Sequence, residues 1–314
     1  MADKLSRLVS RRGPAVVVMV ALLTLASACG KKSGSNSSTS GGNAFGAKES
    51  STIAAEVPSS VKSKGSVTVA VDASYAPNEF FASDNKTIEG WDIDLGHALG
   101  TVMGVDFKFE EAGFDGIIPG LASGKYDVGM SSFTDNKERE QTVDMVTYFS
   151  AGTSFYVNTN GGPDIGSLDD LCGHSVAVEK GTTQLDDATA QSKTCTDAGK
   201  PAVSVSAFPD QNGANLALSS GRAEVGMADS PVAAYQVKLS NGKFKLSGQP
   251  YGVAPYGIAV PRPSGSAPGT GPMSKPILDA LKELISDGVY VKILTKWGVQ
   301  AGAITSPAIN GAVS

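Results

Sequence analysis

Hydroxyl, guanidinium and carboxylate side chains in this sequence are spaced so that they could bind a charged small molecule. Ser132 and Thr134 come shortly before Arg139, whose planar guanidinium matches a carboxylate in bidentate geometry. An arginine in a charged run such as "DNKERE" is more commonly a solvated surface residue. The hydroxyl groups just before it favour the carboxylate site.

Two further positions could bind the charged ends of the same molecule. Thr183 follows Gly181 between a predicted strand and a predicted helix, where backbone N–H groups attract anions and where threonine is also a common cap. Asp229 precedes another predicted helix, so it is either a cap or an acceptor for an ammonium group. Both alternatives stay open for each residue.

Three more residues could form the walls of the site. Asp72 follows an apolar strand, where an unpaired buried carboxylate would be costly. Tyr75 and Phe114 are either core residues or aromatic walls of a pocket. A carboxylate clamp, an ammonium acceptor, hydroxyl donors and aromatic walls together suit a free α-amino acid.

A repeated phrase indicates which elements position these residues. "SGKYDVGMSS" at 123–132 recurs as "SGRAEVGMAD" at 220–229, and in each half strands and helices alternate around it. This order predicts an α/β fold built from two similar units. Because open parallel sheets bind ligands beyond the carboxyl ends of their strands, the polar residues above are expected in one cleft between two lobes.

Composition argues against several other functions. The net charge is −5, and no Lys/Arg-rich run follows the first dozen residues, so nucleic acid is not an expected partner. The histidines, His97 and His174, lie in no ligand cluster, so no metal is expected. No Ser-His-Asp set is evident, and we expect neither a catalytic residue nor a cofactor.

The N-terminal region carries the pattern of an exported protein. Residues 1–28 begin with basic side chains and continue into an apolar run that is too short to span a bilayer, as in a signal peptide. "LASAC" resembles a bacterial lipobox, which implies lipidation of Cys29; the alternative is an ordinary secretory signal. Residues 29–60 are rich in Gly and Ser and are predicted to form a flexible tether.

Two further cysteines, Cys172 and Cys195, follow in the body of the chain. In an exported protein such a pair suggests a disulfide, which would stabilise the fold by about 3 kcal/mol in the chain-entropy model. Two free buried thiols are the alternative.

The segment "GWDIDLGHALGTVM" at 90–103 resembles the signature of the bacterial extracellular solute-binding proteins, family 3, which serve polar amino acid importers. The resemblance covers roughly 66–300 and includes "EKGTTQ" and "SGRAEVGMADS". Trp91 stands where the family usually has Phe, Tyr, Ile or Leu. "NKER" replaces the usual "TPER", but Arg139 keeps its register.

The resemblance implies a type II periplasmic-binding-protein fold. Its two lobes each have a mixed, mostly parallel sheet flanked by helices, and two hinge strands join them. Lobe one would comprise 61–151 and 254–306, lobe two 152–253, and residues 307–314 would form a tail. By similarity, the ligand-binding residues are Asp72, Tyr75 and Phe114 at its side chain, Ser132 and Thr134 at its amino and carboxylate groups, Arg139 and Thr183 at the carboxylate, and Asp229 at the ammonium.

The function implied is capture of a polar amino acid by hinge closure and its delivery to the permease subunits of an ABC importer. Such a protein would be a monomer, held by a lipid anchor on the outer face of the cell membrane. Glutamine or a basic amino acid ranks ahead of glutamate, because Asp72 favours a cationic or amide side chain. The alternatives are a periplasmic dehydratase on the same fold and an amino acid sensor without a transport role.

Overall fold

The computed structural model describes residues 45–313, and its first half builds one strand-helix unit. A Val-rich strand, β1, lies between two parallel neighbours, β5 and β6, and the helices pack beside them. A separate antiparallel sheet has the order β2-β3-β4. The elements are α1 (Ser51–Glu56), α2 (Ser59–Lys64), β1 (Ser66–Val71), β2 (Ser74–Tyr75), β3 (Glu79–Phe81), β4 (Ile88–Glu89), α3 (Trp91–Met103), β5 (Asp106–Glu111), α4 (Phe114–Ala122), β6 (Val128–Gly129) and α5 (Arg139–Thr142).

The second half repeats the unit around β8, which pairs in parallel with β9 and β10. The repeated phrase marks equivalent corners, where α4 leads into β6 and α7 leads into β10. The remaining elements are β7 (Val143–Asn158), β8 (Ser175–Glu179), α6 (Thr183–Asp197), β9 (Ser204–Phe208), α7 (Gln211–Ser219), β10 (Val225–Asp229), α8 (Ser230–Leu239), β11 (Phe244–Pro261), α9 (Ser274–Ser286) and α10 (Val289–Trp297).

Two long antiparallel strands, β7 and β11, connect the units. The sheet has the order β5-β1-β6-β11-β7-β10-β8-β9, so each unit attaches to one side of this central pair. Ala151 pairs with Ala254, at the two positions where the chain was expected to cross between lobes. We call residues 45–151 and 254–313 lobe one, and residues 152–253 lobe two.

Each lobe has its own apolar core. In lobe one, α3 buries the predicted helix face, including Leu95, Leu99 and Val102, against β-sheet and α9–α10 side chains. In lobe two, Cys172 and Cys195 form the predicted disulfide within a core of aliphatic side chains. No helix in residues 45–313 is long and apolar enough to cross a membrane.

The tether predicted over 29–60 is wrong for residues 45–60. Ala47, Ile53 and Val57 are buried in the core of lobe one, and the Ser50 N–H donates to the Val102 carbonyl at 2.9 Å. The Gly/Ser-rich composition predicts a flexible segment, but the burial of these few apolar residues orders it. The predicted signal peptide, Cys29 and residues 29–44 lie outside the described residues.

The C-terminal segment also lies against lobe one. The N–H of Thr147 donates to the Ala308 carbonyl at 2.8 Å, and the N–H of Met145 donates to Asn310 Oδ1 at 2.9 Å. The predicted tail, over the described positions 307–313, is therefore bound to β7.

Candidate functional site

A cavity lies between the lobes, at the carboxyl ends of β1, β6, β8 and β10. All eight predicted ligand-binding residues line it. The lining residues are Asp72, Tyr75, Phe114, Ser131, Ser132, Thr134, Arg139, Glu179, Thr182, Thr183, Gln184 and Asp229.

Arg139 lies at the cavity rather than on an open surface. Its Nη1 donates to the Thr134 carbonyl at 2.9 Å, and its Nη2 donates across the lobes to the Gly181 carbonyl at 3.1 Å. The guanidinium carbon lies 5.5 Å and 5.4 Å from the ring centroids of Phe114 and Phe133. Burial lowers the pKa of Arg139, but a guanidinium stays charged at neutral pH. Its remaining N–H groups can bind a carboxylate.

The N-terminus of α6 faces the same part of the cavity. Thr182 is the cap: its hydroxyl accepts a hydrogen bond from the Leu185 N–H at 3.3 Å. Thr183 is therefore the first residue of the helix, and the first N–H groups of a helix have no partner within it. A ligand carboxylate placed between Thr183 and Arg139 would meet both the helix N-terminus and the guanidinium.

Asp229 occupies the N-cap position of α8 but makes no capping hydrogen bond through its side chain. Its carboxylate accepts from Tyr256 OH at 2.6 Å and from Gln184 Nε2 at 2.8 Å, and both contacts hold it at the cavity. Burial raises the pKa of Asp229 to about 6. The arrangement suits an ammonium group, which would stabilise the charged carboxylate.

A second pair of acidic residues comes from opposite lobes. Asp72 directly follows β1 in lobe one and accepts hydrogen bonds from the N–H groups of Ser74 at 3.1 Å and Phe114 at 3.0 Å. Glu179 ends β8 in lobe two, is 2% exposed, and lies close enough to Asp72 for each carboxyl group to affect the pKa of the other. Burial raises the pKa of both groups, and that of Glu179 the more. Glu179 Oε1 has no hydrogen-bond partner among the described residues.

Glu179 and Gln184 were not predicted as site residues. The signal for Glu179 was available, because it follows the Val-rich run "SVAV" just as Asp72 follows "SVTVAV". Gln184 orients Asp229 and also donates to Thr153 Oγ1 at 2.9 Å, a contact that only the folded chain creates. Ser131, next to the predicted Ser132, also lines the cavity.

The lobes are in contact around the cavity. The Gln211 N–H donates to Ser74 Oγ at 3.0 Å, and the Asp229 N–H donates to Tyr75 OH at 3.0 Å. Lys180 Nζ, in lobe two, lies 2.6 Å from Asp115 Oδ2, in lobe one. The structure is therefore a closed form, in which a small ligand would contact both lobes at once.

Within the described residues, the charged side chains lining the cavity are three carboxylic acids and one guanidinium. No group of three or more His, Cys, Asp or Glu in residues 45–313 could hold a metal ion. The cavity can therefore bind a ligand that carries separate positive and negative charges, and its lining has more acidic than basic groups.

Comparison of the sequence with known proteins identifies similar chains. The family model for bacterial extracellular solute-binding proteins, family 3, matches residues 67–300. The arginine-binding protein ArgT of Corynebacterium glutamicum is 33% identical over 259 residues, 82% of each chain. The ABC transporter glutamine-binding protein GlnH of Bacillus subtilis is 30% identical over 291 residues, 90% of this chain and 95% of its own.

A solved structure extends the likeness to the fold. An ancestral arginine-binding protein bound to arginine has a TM-score of 0.66 and 36% identity, covering 74% of this chain and 98% of its own. The predicted α/β type II fold is confirmed. These relatives bind amino acids, and the chain belongs to the bacterial extracellular solute-binding proteins, family 3.

Proposed function

We propose that this protein captures a free amino acid with a cationic side chain, arginine or lysine, and delivers it to the permease of an ABC importer. The observation that carries the proposal is the Asp72–Glu179 pair, in which carboxyl groups from opposite lobes line the same closed cavity. Arginine-binding relatives and an arginine-bound structure support the same ligand class.

The charges of the cavity match such a ligand group by group. The α-carboxylate would pair with Arg139 and the N-terminus of α6, and the α-ammonium would pair with Asp229. These contacts use one cationic and one acidic side chain and leave Asp72 and Glu179. Two facing carboxylates repel each other unless a cation or a proton lies between them. A guanidinium or ammonium side chain supplies that cation.

Glutamine is the second candidate, because its amide can donate hydrogen bonds to the same two groups. It would leave their charge unbalanced, so each would have to keep a proton or repel its partner. A glutamine-binding relative keeps this candidate in the test.

Ligand-driven closure follows from the position of the groups. Asp72 and Arg139 belong to lobe one, whereas Glu179 and Asp229 belong to lobe two. A ligand that contacts all four binds the closed state better than the open state and shifts the population toward it. The permease would then recognise the closed form, while acyl chains on Cys29 would keep the protein at the membrane surface.

Thermal unfolding against the twenty standard amino acids tests the ligand class. The purified protein is first unfolded and dialysed to remove carried-over ligand. Arginine and lysine should raise the melting temperature by mass action, because they bind only the folded state. A flat panel would contradict the proposal, and a shift with glutamine alone would transfer it to the second candidate.

Two variants test whether Glu179 selects a ligand with a cationic side chain. Glu179→Gln should reduce the shift given by arginine and spare that given by glutamine. Asp197→Asn is the matched control, because Asp197 is exposed and pairs only with Lys193 on the surface of α6. Candidate prephenate-like acids recovered without a dehydrated product would exclude the dehydratase, and arginine uptake lost on gene deletion would exclude a sensor without transport.

A further inference from the structure

Two acidic side chains are completely buried just beneath the cavity. Glu79, in β3, and Asp92, in the first turn of α3, both have no exposed surface. Ser131 Oγ donates to Glu79 Oε1 at 3.0 Å, and Ser132 Oγ lies 3.3 Å from Glu79 Oε2 and 3.5 Å from Asp92 Oδ2. The pair therefore lies directly behind two serines that line the cavity.

The direction of the Ser132 hydrogen bonds follows from its neighbours. The indole of Trp91 can only donate, and its Nε1 donates to Asn78 Oδ1 at 2.7 Å. The amide nitrogen of Asn78 is thereby turned to donate to Ser132 Oγ at 2.8 Å. The Ser132 hydroxyl, which has one proton and already accepts from Asn78, donates toward the acidic pair.

The backbone of Ser132 depends on the same pair. Its φ angle is +54°, in the left-handed region that residues with a side chain rarely adopt. Its N–H lies 3.3 Å from Asp92 Oδ2 and 3.2 Å from Tyr148 OH, which itself donates to Asp92 at 2.8 Å. A charged Asp92 accepts from both donors and stabilises this conformation.

The surroundings allow the pair one negative charge rather than two. Burial raises the pKa of Asp92 to about 7 and that of Glu79 well above its usual range; the charge of Asp92 raises the pKa of Glu79 further, whereas a hydrogen bond from Glu79 lowers that of Asp92. Glu79 thus keeps its proton when Asp92 is ionised. The titratable groups that face the pair are acidic or phenolic: Asp72, Tyr75, Tyr148 and Tyr290.

We infer that Glu79 and Asp92 act as a single-proton pair that fixes the Ser132 hydroxyl as a hydrogen-bond acceptor toward the cavity. A hydroxyl has two lone pairs, and Asn78 occupies one of them. The other is left to accept from the α-ammonium of the ligand. Both residues are thus positioning residues, which act on the ligand through Ser132. The identity of the ligand in this inference is taken from the proposed function. The arrangement of Glu79, Asp92 and Ser132 is taken from the contacts described above.

Infrared spectroscopy tests the proton without any ligand. At a pH above the pKa of Asp92, Glu79→Gln should remove a protonated carboxylic acid band and leave carboxylate absorption unchanged. Glu138→Gln is the matched control, because Glu138 is exposed and should lose carboxylate absorption instead. The inference is refuted if Glu79→Gln reduces carboxylate absorption and leaves the carboxylic acid band in place.

Calorimetric titration with arginine tests the effect on Ser132. Glu79→Ala should weaken binding by about tenfold or more, and Glu79→Gln, which keeps a hydrogen-bond donor, should recover it to within about threefold of the parent. Asp92→Asn should weaken binding by about tenfold or more, because the anionic acceptor is lost. A purely structural role would make the two amide variants equivalent, and that result would overturn the inference.

The outcomes separate this inference from the proposed function. If the parent protein binds neither arginine nor lysine, the proposed function fails, and the infrared comparison still decides whether Glu79 carries the proton. If Glu79→Ala does not fold, the comparison of Glu79→Gln with Asp92→Asn decides the effect on binding.

Discussion

Replacement of Arg139 by alanine should remove the carboxylate clamp and weaken amino acid binding strongly. The guanidinium has five N–H donors, and the carbonyls of Thr134 and Gly181 each accept from one of them. The donors that remain can bind both oxygens of a ligand carboxylate. The variant also loses the contact to Gly181, which joins the lobes in the closed form.

The expected magnitude follows from the burial of this group. Removing one partner of a hydrogen-bonded, desolvated charge pair costs about 2–5 kcal/mol, because the other charge is left without its partner. The dissociation constant should therefore rise about thirtyfold to several thousandfold. Arg139→Lys should fall between the parent and the alanine variant, since an ammonium keeps the charge but cannot form the planar fork.

Calorimetric titration with arginine measures the effect, and thermal unfolding without ligand checks that each variant is folded. Lys137→Ala is the control, since Lys137 lies in the same loop and is 62% exposed in its ion pair with Glu140. Exposed pairs contribute about 1 kcal/mol or less, so this change should alter affinity by less than about fivefold. Parental affinity in Arg139→Ala, or an equal loss in Lys137→Ala, would refute the assigned role.

Three further predictions concern pH, the disulfide and the N-terminal segment. Burial raises the pKa of Asp229 to about 6, so the free carboxylate takes up a proton as the pH falls through this value and cannot then pair with an ammonium. The affinity for arginine should therefore fall by about tenfold for each pH unit below this pKa. An affinity that does not change with pH would contradict this prediction. Replacing both Cys172 and Cys195 by serine removes a disulfide between residues 23 apart in the sequence. The free energy of unfolding, measured by denaturant titration, should fall by about 3 kcal/mol. Unchanged stability would count against the disulfide. Ile53→Ala should cost about 2 kcal/mol in the same assay without changing arginine affinity, because Ile53 is 7% exposed in the core of lobe one; an unchanged midpoint would mean that the segment is not part of the fold.

The sequence predicted the sheet and much of the cavity lining because the relevant signals are local. Val-rich runs and a helical apolar stripe give β1, α3 and β8, and polar residues at or just after strand ends give Asp72, Ser132 and Asp229. The rule that places ligands at the carboxyl ends of parallel strands then brings those residues together.

What the sequence did not reveal depends on long-range contacts. Glu179 faces Asp72 only because the lobes close on each other, and the pairing of Glu79 with Asp92 needs β3 to pack beside α3. The N-terminal helices have six residues each, too few to be stable alone. Ile53 of the first helix and Val61 of the second pack against the core of lobe one and stabilise them, and composition carries little sign of this.

The most direct test of the proposed function compares arginine with citrulline by calorimetric titration of the purified protein. Citrulline has nearly the same shape but carries a neutral ureido group in place of the guanidinium. If Asp72 and Glu179 recognise a cation, arginine should bind at least about thirtyfold more tightly than citrulline. Equal affinity for the two, or tighter binding of citrulline, would contradict the selection of a cationic side chain.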